Sequence, residues 1–454
     1  MGGGKCNSQR GGARRMSVKN ALVVGAGIAG LTAAWRLKLA GYAVRVLEAA
    51  ERVGGRMISI AWQGIRIDPG AEFVTGADRY LHAMVSQLGI RGSLVNYSEE
   101  QTGFHVHIMR AGRIHSVNFM SIPSYLRWSG VSLAARLSMM KLLPYMVRYG
   151  RMDPYYPERA PGDDRLDMQQ FFYRRINAEM FDYWVQPMMD VMCSYRPADL
   201  SAQMLLVLFG NYLQQKLYTF DRGLGLLPET LASQQDVIRG ARVVKIETLS
   251  DGSGARVVYR RDGADDKADA DLVVVAAPGD AVLDLFPAPQ PAWQTFFGHV
   301  HYTTSAKVYF IAEGDAKELD HGGIMFPSKE PWQIAPLGWD RQADGRVFGM
   351  SALRADVYDP AMSDAVILRR VNADIERAQP VLARGITQRM VFRWPRKVPV
   401  FRPGYLSALR AFKRDMQEGP VYFCGDYLIG PSAGSALASG WQCAERILGD
   451  RAAS

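Results

Sequence analysis

Residues 21–30 read Ala-Leu-Val-Val-Gly-Ala-Gly-Ile-Ala-Gly, four apolar side chains running into three glycines spaced G-x-G-x-x-G. The apolar run predicts a buried strand that enters a tight turn. Ile28 to Leu39 predicts a helix, with Ile28, Leu31, Ala34, Trp35 and Leu39 along one side and Gly41 as its stop. Ala43 to Leu47 predicts a second strand, closed by Glu48. Together these make one β-α-β unit. In such a unit Gly25 permits the turn, Gly27 lets the backbone approach a pyrophosphate, and Gly30 lets helix and strand pack closely. Phosphates would rest against the helix start at Ile28 and Ala29, where free N–H groups favour negative charge. Glu48 stands where a carboxylate accepts hydrogen bonds from an adenosine ribose. A nucleotide is therefore expected, but this unit alone does not choose between NAD and FAD.

The residues that follow do choose. Arg52-Val-Gly-Gly-Arg56 comes directly after the second strand. Gly54 and Gly55 allow a backbone to pass close to a phosphate chain, and Arg56 can neutralise it. Asp68-Pro-Gly-Ala-Glu72 lies just beyond. Far downstream, Gly425-Asp426 ends a short strand before a helix, a second turn compatible with an anion.

With these residues the chain resembles the flavin-containing amine oxidase superfamily, which includes monoamine oxidases, protoporphyrinogen oxidases and phytoene desaturases. The likeness rests on GAGIAG at 25–30, Glu48, Arg52 to Arg56, DPGAE at 68–72 and GDY…SAGSALASG at 425–440, and runs from about residue 18 to 450. It implies an α/β fold, with a GR2-like, Rossmann-type FAD-binding domain and a discontinuous α+β substrate-binding domain. It also implies that Gly425 and Asp426 lie near the ribityl-pyrophosphate of FAD, and that the backbone of Val243 meets the adenine. Lys307, in Thr-Thr-Ser-Ala-Lys-Val-Tyr-Phe, falls where many amine oxidases hold a lysine, through a water, near flavin N5. Alternation puts Ser305, Lys307 and Tyr309 on one strand face and Ala306, Val308 and Phe310 on the other. Lys307 is thus either a catalytic residue or a solvent-facing strand lysine. Some members attach FAD through a cysteine upstream of the last motif. Residues 392–412 contain none, so noncovalent FAD is expected. Where monoamine-type members carry an aromatic beside the flavin, this chain has Ser435, which points away from small primary amines. Segments 166–202 and 218–232 look more like protoporphyrinogen oxidases and desaturases.

The resemblance implies an FAD-binding domain of 18–80, 222–290 and 400–450, and a substrate domain of 81–221, mainly helical, plus 291–399, mainly sheet. Within these, Leu133 to Tyr149 is expected to be helical with a kink near Pro144, and 166–215 to be helices broken at Pro187 and Pro197. Arg242 onward predicts a hairpin, then an acidic loop (Asp262, Asp265, Asp266, Asp269), then a buried strand at 271–275. Strands are expected at 303–311, 346–351 and 388–394, and helices at 364–378 and 432–448.

The net charge is +9, yet the first twenty residues hold five basic side chains and no acid. A flexible basic tail over 1–17 accounts for much of the charge, and no aromatic-basic stripe suggests nucleic acid. The four cysteines have no CxxC spacing and no histidine cluster, so neither a disulfide framework nor a metal is expected. No run of eighteen apolar residues predicts a transmembrane helix, and the localisation expected is cytoplasmic. Residues 101–152 contain no Asp or Glu but seven Arg or Lys among apolar residues. Such a stretch suits a membrane surface, an acidic hydrophobic substrate, or simple solvation. Trp128 and Met139, Met140 and Met146 within it are expected in the core.

Three functions remain open at this point. The first is hydride transfer from a C–C or C–N bond of a bulky hydrophobic substrate to flavin N5, with reoxidation by O2 or another electron acceptor. The second is an amine or amino-acid oxidase that releases hydrogen peroxide. The third is a non-catalytic flavoprotein whose FAD is structural.

Overall fold

The computed structural model describes residues 19–96, 105–119, 121–212, 216–415 and 419–453. The basic tail expected over 1–17 lies outside them.

A five-stranded parallel sheet organises the nucleotide lobe. Its order is Asp236–Ile238, Ala43–Leu47, Asn20–Val24, Leu272–Val275 and Val421–Phe423. Val23, Val46, Val273, Val274 and Val275 have no exposed surface. Burial of each such side chain contributes roughly 1.5–3 kcal/mol, which is why the strands read as unbroken apolar runs. The helix Ile28–Leu39 follows the first strand with the expected bounds, and Gly41 ends it at φ +86°. It packs on the final helix, Ala433–Ala453, and both share a core with the helix Leu226–Ser233. The helix Arg79–Gln87, at the expected domain bound of 80/81, buries Leu81, Met84 and Val85 in this same core. Its amphipathic face finds its partner in the final helix.

The expected hairpin forms from Arg242–Thr248 and Arg256's strand, Ala255–Arg261. The acidic segment after it is not a loop but a third strand, Ala264–Ala270. Asp265 and Asp269 sit opposite Arg260 and Arg256, each pair at 2.7 Å, and these cross-strand pairs offset the poor strand propensity of aspartate.

The second sheet has seven strands in the order Ile386–Trp394, Ser305–Ala312, Val347–Leu353, Ile334–Arg341, His321–Met325, His105–Arg110 and Arg113–Asn118. Ser305–Ala312 lies second from one edge and is wholly buried. Ala306, Val308 and Phe310 pack with Ile367, Val371 and Ile375 of the helix Asp364–Ala378, the face that alternation predicted. The last two strands fall within 81–221, which was expected to be mainly helical, and add a sheet element to it. Ala111 and Gly112, both at positive φ, turn a hairpin that extends the sheet.

The rest of that stretch is three short helical segments, Ile122–Arg127, Leu133–Ser138 and Leu143–Gly150, with a 3-10 turn at Met139–Leu142. Trp128 is core, as expected, but Met140 is 64% exposed because it falls on the outward side of the 3-10 turn. Further on, helix runs without a break from Ala178 to Cys193. Pro187 does not interrupt it, because Phe181–Val185 forms a π-helical segment. That widened turn does not require the N–H that proline lacks.

Candidate active site

The dinucleotide turn lies at the carboxyl end of the parallel sheet, the usual ligand edge of such sheets. Its glycines have separate reasons. Gly25 has φ +103°, and a Cβ there would lie 3.0 Å from the Ala276 carbonyl. A Cβ on Gly30 would lie 2.1 Å from the Gly25 carbonyl. A Cβ on Gly27 would meet nothing within 4 Å, so this glycine borders open space. The helix that starts there has no side-chain cap and no acid in its first turn. An open glycine under uncapped N–H groups suits a pyrophosphate. Glu48 braces the turn. Its Oε2 accepts from Ala26 N at 2.7 Å and its Oε1 from Ala50 N at 2.8 Å.

The Gly54-Gly55 loop closes on this turn. Gly54 N donates to the Ala26 carbonyl at 2.8 Å, and Gly54 bridges Gly27. Arg52 folds back to donate to the Gly55 carbonyl at 2.9 Å. Val243 lies at a bulge in its strand, two residues after Ala241, whose N–H donates to the Glu48 carbonyl at 2.8 Å. Its strand therefore leaves from the acidic edge of the nucleotide turn.

Arg56 reaches across to the C-terminal motif. Its Nη1 lies 2.7 Å from Asp426 Oδ2 and donates to the Lys397 carbonyl at 3.1 Å. Its guanidinium stands 5.1 Å from the centre of the Tyr302 ring. Gly425 N donates to Ser439 Oγ at 2.9 Å, and a Cβ on Gly425 would strike the Tyr427 ring at 2.3 Å. The early and late motifs thus converge on one charged junction.

Lys307 is not a solvent-facing strand lysine. It is buried, and its Nζ pairs with Glu72 of the DPGAE segment. Burial, the largest single effect, would lower its pKa, but the charge and hydrogen bond of Glu72 together with Tyr309 more than offset it and raise it above the usual lysine value. A second lysine, Lys397, was not anticipated. Its Nζ donates to Ser194 Oγ at 2.9 Å, and its pKa falls to about 8 through burial and the charge of Lys307. Tyr302 was missed as well; burial and the nearby Asp426 push its phenol well up. Trp394, at the end of the strand beside Lys307's, donates from Nε1 to the Pro69 carbonyl at 2.8 Å and ties the two lobes together. Ser435 is buried, its Oγ 2.9 Å from Ser432 Oγ, in a first helical turn that carries no ring.

The sequence model of a family described as flavin containing amine oxidoreductase matches residues 28–448. The chain belongs to that family. As a member, this amine oxidoreductase is a flavin-dependent enzyme. It is 22% identical to protoporphyrinogen oxidase 2, chloroplastic/mitochondrial, of Arabidopsis thaliana, across 95% of this chain and 94% of that one. Likeness to the putrescine oxidase of Kocuria rosea is higher, 35%, but covers only 23% of this chain and 21% of the relative. Among solved structures, a candidate protoporphyrinogen oxidase from Exiguobacterium sp. 255-15 shares the fold with a TM-score of 0.75. It is 18% identical, over 96% of this chain and 100% of the other. The amine oxidoreductase therefore has the mixed α/β architecture expected of it, on the protoporphyrinogen-oxidase-like side of the superfamily.

Proposed function

We propose that this chain binds FAD noncovalently and dehydrogenates a C–C or C–N bond of a bulky hydrophobic substrate, with O2 as the terminal acceptor. The observation that carries the reading is the ring-free helix start at Ser435 beside the Gly425-Asp426 turn. It is supported by the sequence likeness, which is full-length to a protein named protoporphyrinogen oxidase and local to a putrescine oxidase, while the fold itself matches both alike.

Bound flavin would supply the two-electron acceptor. The other tasks fall to the chain. Gly27 and the uncapped helix start would receive the pyrophosphate, and Glu48 the ribose. Arg56, fixed by Asp426 and Tyr302, would set the cofactor against the cleft between lobes. Lys307, held charged by Glu72, would orient a water or hold a proton at its Nζ. Residues 392–412 offer no cysteine for a covalent link.

The test is a visible spectrum of purified protein, acid precipitation, then anaerobic titration with porphyrinogens, polyenes and amines. Acid-released flavin that bleaches with a bulky apolar compound supports the proposal. Bleaching by amines alone would transfer it to the amine oxidases, and a pellet that stays yellow would refute noncovalent attachment.

A further inference from the structure

Lys397 is an amine held by neutral groups. Its Nζ donates to Ser194 Oγ at 2.9 Å and reaches the Val191 carbonyl at 3.5 Å. No carboxylate stands within ion-pair distance of it among the described residues, whereas Lys307 has Glu72, and Lys413 has Glu158 at 2.8 Å. A cation drawn out of water against neutral acceptors alone is costly, so such an amine gives up its proton easily. The backbone of Lys397 sits at the charged junction of the two motifs. Its carbonyl accepts from Arg56, and its N–H donates to the Thr303 carbonyl at 2.7 Å.

The charges around this amine come from three elements. Lys307 and its partner Glu72 act from the sheet side, Cys193 and Asp190 from the helix Gln186–Cys193, and Arg56 from the glycine loop. Burial and Lys307 prevail over the rest. Two neighbouring lysines are thereby pushed apart: Glu72 keeps Lys307 a cation, while Lys397 can be neutral near pH 8. A pair of like groups separated in this way divides the acid and base roles of a site.

Ser194 leads outward from Lys397. It ends its helix in the left-handed region, at φ +53°. With Arg196, Asp199, Thr303 and Arg402 it lines a polar cavity of about 140 Å³, room for several waters. About half of the Arg402 side chain is exposed, which sets this cavity at the surface. The hydroxyl that accepts from Lys397 can donate in turn to water there.

Taking the dehydrogenation proposed above as given, we propose that Lys397 is the base that takes the substrate's proton, and that Ser194 passes it to the polar cavity. Dehydrogenation removes two hydrogens. One leaves as hydride, with its electron pair, to the bound flavin. The other leaves as a proton: its bond to substrate breaks, and an N–H bond forms on the free amine of Lys397. The ammonium so formed returns to amine by giving a proton through Ser194 Oγ to water. Lys307 already holds its proton against Glu72 and cannot take this one.

The experiment is anaerobic stopped-flow reduction of the flavin-loaded chain, from pH 6.5 to 9.5, by whichever porphyrinogen, polyene or amine bleaches it. The wild-type rate should rise in one step near pH 8. Lys397→Met should slow reduction about a hundredfold and flatten the profile, with half-saturation unchanged. Lys397→Gln, the second neutral variant, should do the same. Lys397→Arg keeps the charge but cannot release a proton, so it should stay slow. A rate restored by arginine would reveal a merely structural cation and overturn the proposal. Ser194→Ala should slow reduction at least threefold. Asp190→Asn should keep the step, and its disappearance there would assign the step to Asp190 and overturn the proposal. Thermal melts give a readout that needs no substrate. An unfolded lysine keeps its proton to higher pH than Lys397 does, so the wild type should gain in melting temperature over Lys397→Met from pH 8 to 10. A constant gap would overturn the proposal, as would equal reduction rates in the two proteins. If no compound bleaches the flavin, the dehydrogenation itself falls and this role with it, an outcome distinct from equal rates.

Discussion

Arg56 and Asp426 form an ion pair at 2.7 Å that closes the glycine loop of the N-terminal motif onto the last turn before the final helix. Asp426 is buried and Arg56 about a third exposed, so neither charge is freely solvated. Removing one partner leaves the other uncompensated, which costs about 3–5 kcal/mol for a fully buried pair and less here. Arg56→Gln and Asp426→Asn should each lower the flavin content of purified protein at least tenfold. In the double variant the losses should be less than additive, because each substitution breaks the same contact. Absorbance at 450 nm relative to 280 nm reads this. Full occupancy in either single variant would show that the junction does not hold the cofactor.

Gly27 and Gly30 separate binding from folding. A Cβ on Gly27 enters open space, so Gly27→Ala should leave the melting temperature of the flavin-free protein within a degree or two while weakening flavin binding tenfold or more. A Cβ on Gly30 collides with the Gly25 carbonyl at 2.1 Å, so Gly30→Ala should lower the melting temperature itself by several degrees. Equal melting temperatures for the two apo variants would contradict the assignment.

Lys307 and Glu72 should respond unequally to substitution. Glu72→Gln strands a buried cation; Lys307→Met removes it. Glu72 is 37% exposed, so the stability lost in Glu72→Gln should be ~2 kcal/mol, below that of a fully buried pair. Lys307→Met should cost less. The pH dependence has a definite sign. In the wild type the Lys307 pKa is raised, so its stabilisation is complete below the ordinary lysine value and is lost only in stronger base. In Glu72→Gln burial loses its main counterweight, leaving only Tyr309 against it, and the pKa should fall. Stability of that variant should therefore climb from pH 7 to 10 while the wild type gains nothing from this group. Thermal melts at three pH values decide it. If Lys307→Met leaves reoxidation by O2 unchanged, the lysine has no part in that step.

Asp190 offers a second pH test. Burial raises its pKa to about 7, with Ala355 N donating to Oδ1 at 3.1 Å. A carboxyl whose folded pKa lies above its unfolded value favours folding at low pH, and that contribution is lost as pH rises through 7. Asp190→Asn keeps an acceptor for Ala355 without the charge. It should stabilise the protein by about 1–3 kcal/mol at pH 8 and by almost nothing at pH 4. An equal effect at both pH values would mean that Asp190 is not the titrating group.

The nucleotide lobe was legible because its signals are local. Three glycines, a turn of apolar spacing and a terminal glutamate lie within thirty residues and fix one another. What stayed hidden depends on distant partners. The Asp265 to Asp269 segment is a poor strand by composition and becomes one only against Arg256 and Arg260. Tyr302 and Lys397 carry no motif of their own. Tyr302 matters through Arg56 and Asp426, and Lys397 through Ser194 and the same arginine. Strand alternation placed Lys307 on the right face, but no local spacing could name Glu72 as its counter-ion.

The parallel sheet takes its edge strand from Val421–Phe423, and the first helix packs on a helix that ends at Ala453. During synthesis, then, the chain emerges with its cofactor turn first and the strand and helix that complete it last. Until Val421 to Asp426 are made, Leu272–Val275 presents an unpaired apolar edge and Arg56 has no Asp426 to meet. A nascent chain stalled before Val421 therefore lacks both the partner strand and the ion pair that complete the cofactor turn.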